Sequence, residues 1–242
     1  MKLSKFLFGS AVYASMVAAT LNAATMTFTG STSNGRSAEA DLSTSGSTLT
    51  VKLINTGSAA MVNSDTLTAV LFTLPSGISL SVGSAALGSG SSVIGSLVHN
   101  VGEGWLYESG ISAFGKSSGI SASGLSGVFG NTGYFYTPGQ PPLDGINYGL
   151  VHGLGSGNNI PSTQYPLVSH EVDFTLTIHG GTLNLSALGN LEFVWGTSLT
   201  EGSTPGTPPP PPSVPDGGTT ALLLGFSLTG IGWFARRQKS LA

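Results

Sequence analysis

The sequence predicts an all-β fold: an antiparallel β-sandwich of jelly-roll-like form that occupies residues 24–200 of the 242-residue chain. Short segments alternate polar and apolar residues, which places every second side chain on one face of a sheet. Turns rich in Gly, Ser and Asn separate these segments, and no stretch within residues 24–200 keeps a helical period. Several short strands joined by such turns favour two antiparallel sheets packed face to face.

The individual strands follow from their local patterns. Residues 48–53 and 172–178 alternate most regularly. Residues 67–74 are almost continuously apolar, which predicts a central strand covered on both faces. Residues 110–165 are less regular, and we expect long loops there that pack around aromatic side chains. The predicted strands are residues 26–29, 38–42, 48–53, 67–74, 78–82, 105–107, 172–178 and 191–195.

The composition narrows the classes of function. Charged residues make up 8% of the chain, against about 25% in an ordinary soluble domain. Between residues 24 and 212, three basic residues (Arg36, Lys52 and Lys116) stand against ten acidic ones. Because an acidic surface repels phosphate, we expect no nucleic-acid binding. The chain has no cysteine, which excludes thiol nucleophiles, cysteine-ligated zinc and disulfides.

The N-terminus has the pattern of a secretory signal peptide, residues 1–23. Lys2 and Lys5 precede an apolar segment, residues 6–21, and small residues follow it. Cleavage is expected after Ala23 or Ala24. The partners implied are the secretion translocon and signal peptidase; an uncleaved anchor is the alternative.

The C-terminus contains a linker and a candidate membrane span. The Pro-rich linker, residues 201–213, includes five consecutive prolines and predicts an extended spacer. Residues 219–235 are apolar and uncharged, and as a helix they would extend about 25 Å, the short limit for a transmembrane span. Basic residues follow immediately, which predicts that the preceding domain lies outside the cytoplasm. These residues are Arg236, Arg237 and Lys239.

A short motif precedes this span: Val214, Pro215, Asp216, Gly217 and Gly218. The motif, the span and the basic end together resemble the PEP-CTERM class of C-terminal tails, in its Val-Pro-Asp-Ser/Gly-Gly-like variant. The resemblance implies that residues 214–242 are a sorting signal and that an exosortase, a membrane cysteine transpeptidase, cuts them from an exported bacterial protein. Asp216-Gly217 stands where the commonest form has Glu-Pro, which leaves the exosortase subtype open. A permanent single-pass anchor facing the periplasm and a GPI signal are the alternatives.

The ectodomain carries a second resemblance. Several short segments between residues 45 and 200 resemble, in order and spacing, a family of exosortase-dependent surface proteins that share one extracellular β-domain. That resemblance implies a location and an architecture, and it implies no reaction. The segments are residues 55–57, 65–72, 105–107, 119–125, 144–150 and 194–197.

The ectodomain sequence contains no pattern typical of a catalytic or metal site. The four histidines (His99, His152, His170 and His179) have no metal-ligand spacing. Glu171 and Asp173 share one face of a strand, where solvated acids are the ordinary interpretation. Residues 119–124 resemble a nucleophile elbow only superficially, because no helix follows, and Asp144-Gly145 is a turn signature. We therefore expect no cofactor, no metal and no enzymatic activity.

These observations favour a structural or adhesive protein of the cell surface or exopolysaccharide matrix, which passes through an inner-membrane intermediate. One alternative is a glycan-binding module for exopolysaccharide, because exposed aromatic rings stack on sugars. A hydrolase with a cryptic site is a further alternative, for which the sequence offers no residue pair. The aromatic residues considered for stacking are Trp105, Tyr107, Tyr134, Tyr136 and Trp195.

Overall fold

A computed structural model describes residues 23–95, 100–130, 132–136, 143, 145–156 and 166–208. Within these residues the chain is all-β, as predicted, with short 3₁₀ helices at Asn63–Asp65, Val101–Gly104, Leu125–Gly127 and Leu185–Leu188. The strands are β1 (Ala24–Ser31), β2 (Ser37–Ser45), β3 (Thr48–Asn55), β4 (Leu67–Phe72), β5 (Ser79–Leu87), β6 (Ser92–Ile94), β7 (Leu106–Ala113), β8 (Lys116–Ser121), β9 (Leu150–Val151), β10 (Leu167–Ser169), β11 (Glu171–His179), β12 (Leu191–Trp195) and β13 (Ser203–Gly206).

Sheet 1 has the strand order β1-β2-β3-β11-β5, and all of its pairs are antiparallel. The alternation seen in the sequence sets its two faces: Phe28, Leu42, Val51 and Phe174 point into the core, and hydroxyl and charged side chains lie on the other face. The register places Lys52 between its partners on the neighbouring strands.

Sheet 2 follows the order β13-β12-β4-β9-β10-β6, and β8 pairs with both β4 and β7. Its pairs are antiparallel except for β9 and β10, which are parallel. The prediction of antiparallel sheets therefore holds for every described strand pair but this short one. The jelly-roll-like connectivity stays a prediction.

The main core lies between the two sheets. Phe174 of sheet 1 contacts Trp105 and Phe135 with ring centroids 5.0 Å apart in each case, and Phe193 and Trp195 of sheet 2 belong to the same buried cluster. Each fully buried side chain of this size contributes about 1.5–3 kcal/mol. One apolar cluster therefore contains side chains from both sheets, and the sandwich arrangement stays a prediction.

Sheet 2 is also covered on its second face. Ala69 and Leu71 of β4 face a separate cluster that includes Leu106, Phe129 and Tyr134, while Val70 and Phe72 face the main core. All residues of β4 are buried for this reason, as the continuous apolar run predicts.

One sequence prediction changes at the C-terminal side. The linker is predicted to begin at residue 201, but β13 lies within that range and pairs with β12, so the compact unit of the ectodomain extends to Pro208. Gly206 of this strand packs against the Phe193 ring, where an added Cβ would overlap it. Among the residues that the structure describes, no helix is long and apolar enough to cross a membrane; the predicted span, residues 219–235, lies outside them.

Candidate functional site

The predicted signal-peptide boundary lies at the start of sheet 1. Ala23 is exposed, and Ala24 begins β1 opposite Thr44 of β2. Cleavage after Ala23 would leave β1 complete, and cleavage after Ala24 would shorten it by one residue. Residues 1–22 lie outside the described part of the chain.

The chain leaves the ectodomain at an edge where the two sheets are joined. Thr207 and Thr29 exchange two backbone hydrogen bonds, with N···O distances of 2.9 and 3.0 Å. Thr29 belongs to β1, the edge strand of sheet 1, and Thr207 directly follows β13, the edge strand of sheet 2. Backbone pairing therefore joins the edges of the two sheets at the last residues of the ectodomain that the structure describes. The motif residues 214–218 and the basic end lie outside the described residues.

A partly buried arginine holds the same region together. Arg36 Nε lies 3.1 Å from Asp65 Oδ1, Nη1 donates to the Glu201 carbonyl at 2.7 Å, and Nη2 donates to Ser64 Oγ at 3.1 Å. The Arg36 side chain is 11% exposed. The guanidinium thus connects the loop before β2 with the turn that leads into β13.

Lys52 organises the acids on the outer face of sheet 1. Its Nζ lies 3.2 Å from Glu171 Oε1 and 3.6 Å from Asp173 Oδ1. The hydrogen bond that Lys52 donates to Glu171 is the largest effect that raises the Lys52 pKa. Burial and then the neighbouring Glu171 raise the pKa of Asp173. The interpretation of Glu171 as a solvated acid is wrong, because the strand pairing buries it beside β3. Since an ammonium already contacts both carboxylates, they form a structural ion cluster.

The aromatic side chains considered for sugar stacking are largely inside the protein. Trp105, Tyr107, Tyr134 and Trp195 are buried, and Tyr136 is half-buried. Trp105 Nε1 donates to a backbone carbonyl at 3.0 Å, and burial raises the pKa of the Tyr107 and Tyr134 phenols. The predicted stacking surface is therefore not formed, because these rings fill the spaces around sheet 2.

The serines of residues 119–124 are also structural. Ser121 Oγ donates to the Ser123 carbonyl at 2.6 Å and accepts from the Ser123 N–H at 3.0 Å. Both side chains are almost completely buried. Both hydroxyls therefore make local backbone hydrogen bonds.

The structure brings together two histidines that the sequence analysis treated as isolated. The ring centroids of His152 and His170 lie 6.2 Å apart with an interplanar angle of 73°. His179 lies apart from them and contacts Ser81 Oγ at 2.8 Å, while His99 is outside the described residues. Within the described ranges, no group of three or more His, Asp or Glu side chains converges on a point that could hold a metal ion.

Comparison with known proteins places the tail in a class. Residues 213–239 match the family model of the VPDSG-CTERM motif, a variant of the PEP-CTERM-type sorting signal. The match indicates a C-terminally sorted, exported protein and implies an exosortase-related sorting partner. No curated protein and no solved structure matches the chain, so the resemblance of the ectodomain to one shared extracellular β-domain stays a prediction.

Proposed function

We propose that an exosortase recognises residues 214–218, cleaves the tail and delivers the ectodomain to the cell surface or exopolysaccharide matrix, where it has a structural or adhesive role. The observation that carries this proposal is the match of residues 213–239 to a sorting-signal family. The match ends at Lys239, so it includes the motif, the apolar segment and the basic end in the order that such a signal requires.

The proposed route has two membrane steps. The translocon and signal peptidase act first on residues 1–23. The apolar segment 219–235 then holds the chain in the inner membrane, because Arg236, Arg237 and Lys239 remain on the cytoplasmic side. In this intermediate the motif lies directly outside the membrane, where a membrane-embedded transpeptidase can reach it.

Several features of the ectodomain support a non-enzymatic role. Its candidate nucleophiles, Ser121 and Ser123, are buried, and the Ser121 hydroxyl is hydrogen-bonded to the backbone of Ser123. Its best-placed carboxylates, Glu171 and Asp173, contact Lys52. Glycan binding through aromatic stacking loses its main support, since four of the five rings considered are buried.

The intact mass of the mature protein, recovered from cell-surface and medium fractions, tests the processing step. We expect a product whose C-terminus lies within residues 214–218. Replacement of all five motif residues by alanine should abolish that product and retain the chain at the inner membrane. Replacement of prolines 209–212 by serine is the matched control, because it changes the spacer and leaves the motif intact.

A mature mass that extends to Ala242 in the wild type would overturn the proposal and would identify a permanent single-pass anchor. Normal surface display of a chain truncated before Val214 would contradict it as well. A structural or adhesive role further predicts that cells lacking the protein lose surface attachment or matrix integrity.

A further inference from the structure

The histidine pair His152 and His170 results from the short parallel pairing in sheet 2. Val168 lies opposite Leu150, and Ser169 lies opposite Val151. His170 and His152 are the next residues on the two strands, so they emerge side by side. His152 is exposed and His170 is half-buried, which leaves the pair open to solvent.

His170 adopts a backbone conformation that favours glycine. Its φ is 82°, within the left-handed region that L-residues seldom occupy. The conformation is fixed by the change of sheet at this residue: its N–H donates to the Val151 carbonyl at 2.8 Å in sheet 2, and its carbonyl accepts from the Asn55 N–H at 2.9 Å in sheet 1. A glycine at position 170 would adopt this φ without strain. Strained positions of this kind are enriched at functional sites, and the imidazole of His170 faces a second imidazole.

We propose that His152 and His170 form a binding site for a first-row divalent transition cation, with Cu²⁺ as the preferred ion and water completing its coordination. Neutral imidazole suits Cu, Ni and Zn, and Cu²⁺ has the highest affinity in this series. With metal–nitrogen distances of about 2.0–2.1 Å, each ring centroid lies about 3.2 Å from a bound ion. Two ligating rings therefore have centroids up to about 6.4 Å apart in the linear limit.

The observed separation of 6.2 Å lies just inside this limit. A tetragonal or tetrahedral arrangement requires the rings to approach by about 1–2 Å, and the exposed His152 can supply that movement by rotation of its side chain. Two protein ligands make a weaker site than the three or four of catalytic or structural zinc. We therefore expect a site that responds to the external metal concentration.

Calorimetric titration of the purified full-length protein with Cu²⁺, in a buffer that does not chelate metal, tests the proposal. We expect one site per chain that is lost or weakened at least about tenfold in both His152→Ala and His170→Gly. His179→Ala is the matched control and should bind as the wild type does. Ca²⁺ should give no signal at this site, because it prefers oxygen ligands.

The choice of glycine at position 170 keeps the test independent of folding. Because φ at this position suits glycine, the melting temperature of His170→Gly without metal should equal or exceed that of the wild type. Equal Cu²⁺ affinity in the wild type and both variants would overturn the proposal, as would the absence of Cu²⁺ binding in the wild type. In either case the two rings would only be in edge-to-face contact.

Discussion

Removal of the Arg36 guanidinium tests how strongly this side chain stabilises the C-terminal end of the ectodomain. The side chain makes three hydrogen bonds, to Asp65, Ser64 and the Glu201 carbonyl. Hydrogen bonds from charged donors are worth about 1.5–3 kcal/mol each. Asp65 still accepts hydrogen bonds from the N–H groups of Met61 and Val62 when the arginine is absent. The loss is therefore smaller than the summed contribution of the three hydrogen bonds, and we expect Arg36→Ala to lower the free energy of unfolding by about 3 kcal/mol.

Thermal unfolding followed by calorimetry measures this loss. In a domain of this size, 1 kcal/mol corresponds to about 2–4 °C, so the melting temperature of Arg36→Ala should fall by roughly 6–12 °C. Lys116→Ala is the matched control: it also removes one positive charge, but its ammonium makes an exposed hydrogen bond to the Asn190 carbonyl. An Arg36→Ala shift no larger than that of Lys116→Ala would refute the reasoning.

Two further predictions concern packing and pH. A Cβ at Gly104 would overlap the Tyr148 ring, so Gly104→Ala should lower the melting temperature by the equivalent of about 2–3 kcal/mol. Gly153→Ala, where the added Cβ meets open space, should change it little, and equal losses would contradict the packing argument. Burial and then the charge of Asp41 raise the pKa of Glu39, so the folded state binds the carboxyl proton more tightly than the unfolded state does. The stability of the fold therefore falls as the pH rises from the unfolded-state pKa of Glu39, about 4.3, through its raised folded-state pKa. Glu39→Gln should therefore raise the melting temperature at about pH 7 and leave it nearly unchanged at about pH 3; a loss of stability at neutral pH would contradict this.

Strands that follow a simple hydrophobic rule were predictable, and β4 shows why. Its continuous apolar pattern requires cover on both faces, and the structure supplies one cluster on each side. The strand β11 likewise shows its alternation directly, with Val172, Phe174 and Leu176 in the core. In both cases the local sequence contains the whole signal.

Strands made of small residues were not predictable, because their composition is also that of a turn. In β8, a Cβ on Gly119 would lie 2.6 Å from Leu71 Cδ2, so the glycine marks a close approach of two strands. In β13, Gly206 lies under Phe193 in the same way, with its added Cβ 2.6 Å from Phe193 Cε2. Pro205 is tolerated there since β13 is an edge strand.

The two candidate sites also differ in what the sequence reveals. A sorting signal is read as a linear stretch, so the motif at residues 214–218 could be recognised from the sequence alone. The pair of His152 and His170 depends on a parallel register between two very short strands, which no local pattern encodes. Glu171 illustrates the same limit, because only the pairing of β11 with β3 brings Lys52 to it.

The central pairing of sheet 1 constrains when the domain can fold. β11 inserts between β3 and β5, and Lys52 meets Glu171 across 119 positions of sequence. Such long-range pairing makes folding slow, because the entropy of closing a large loop is lost before the strand contacts can stabilise the chain. During synthesis or passage through a narrow channel, the first three strands emerge long before their partner and cannot complete a core. The ectodomain should therefore stay unfolded until nearly all of it has passed through the channel.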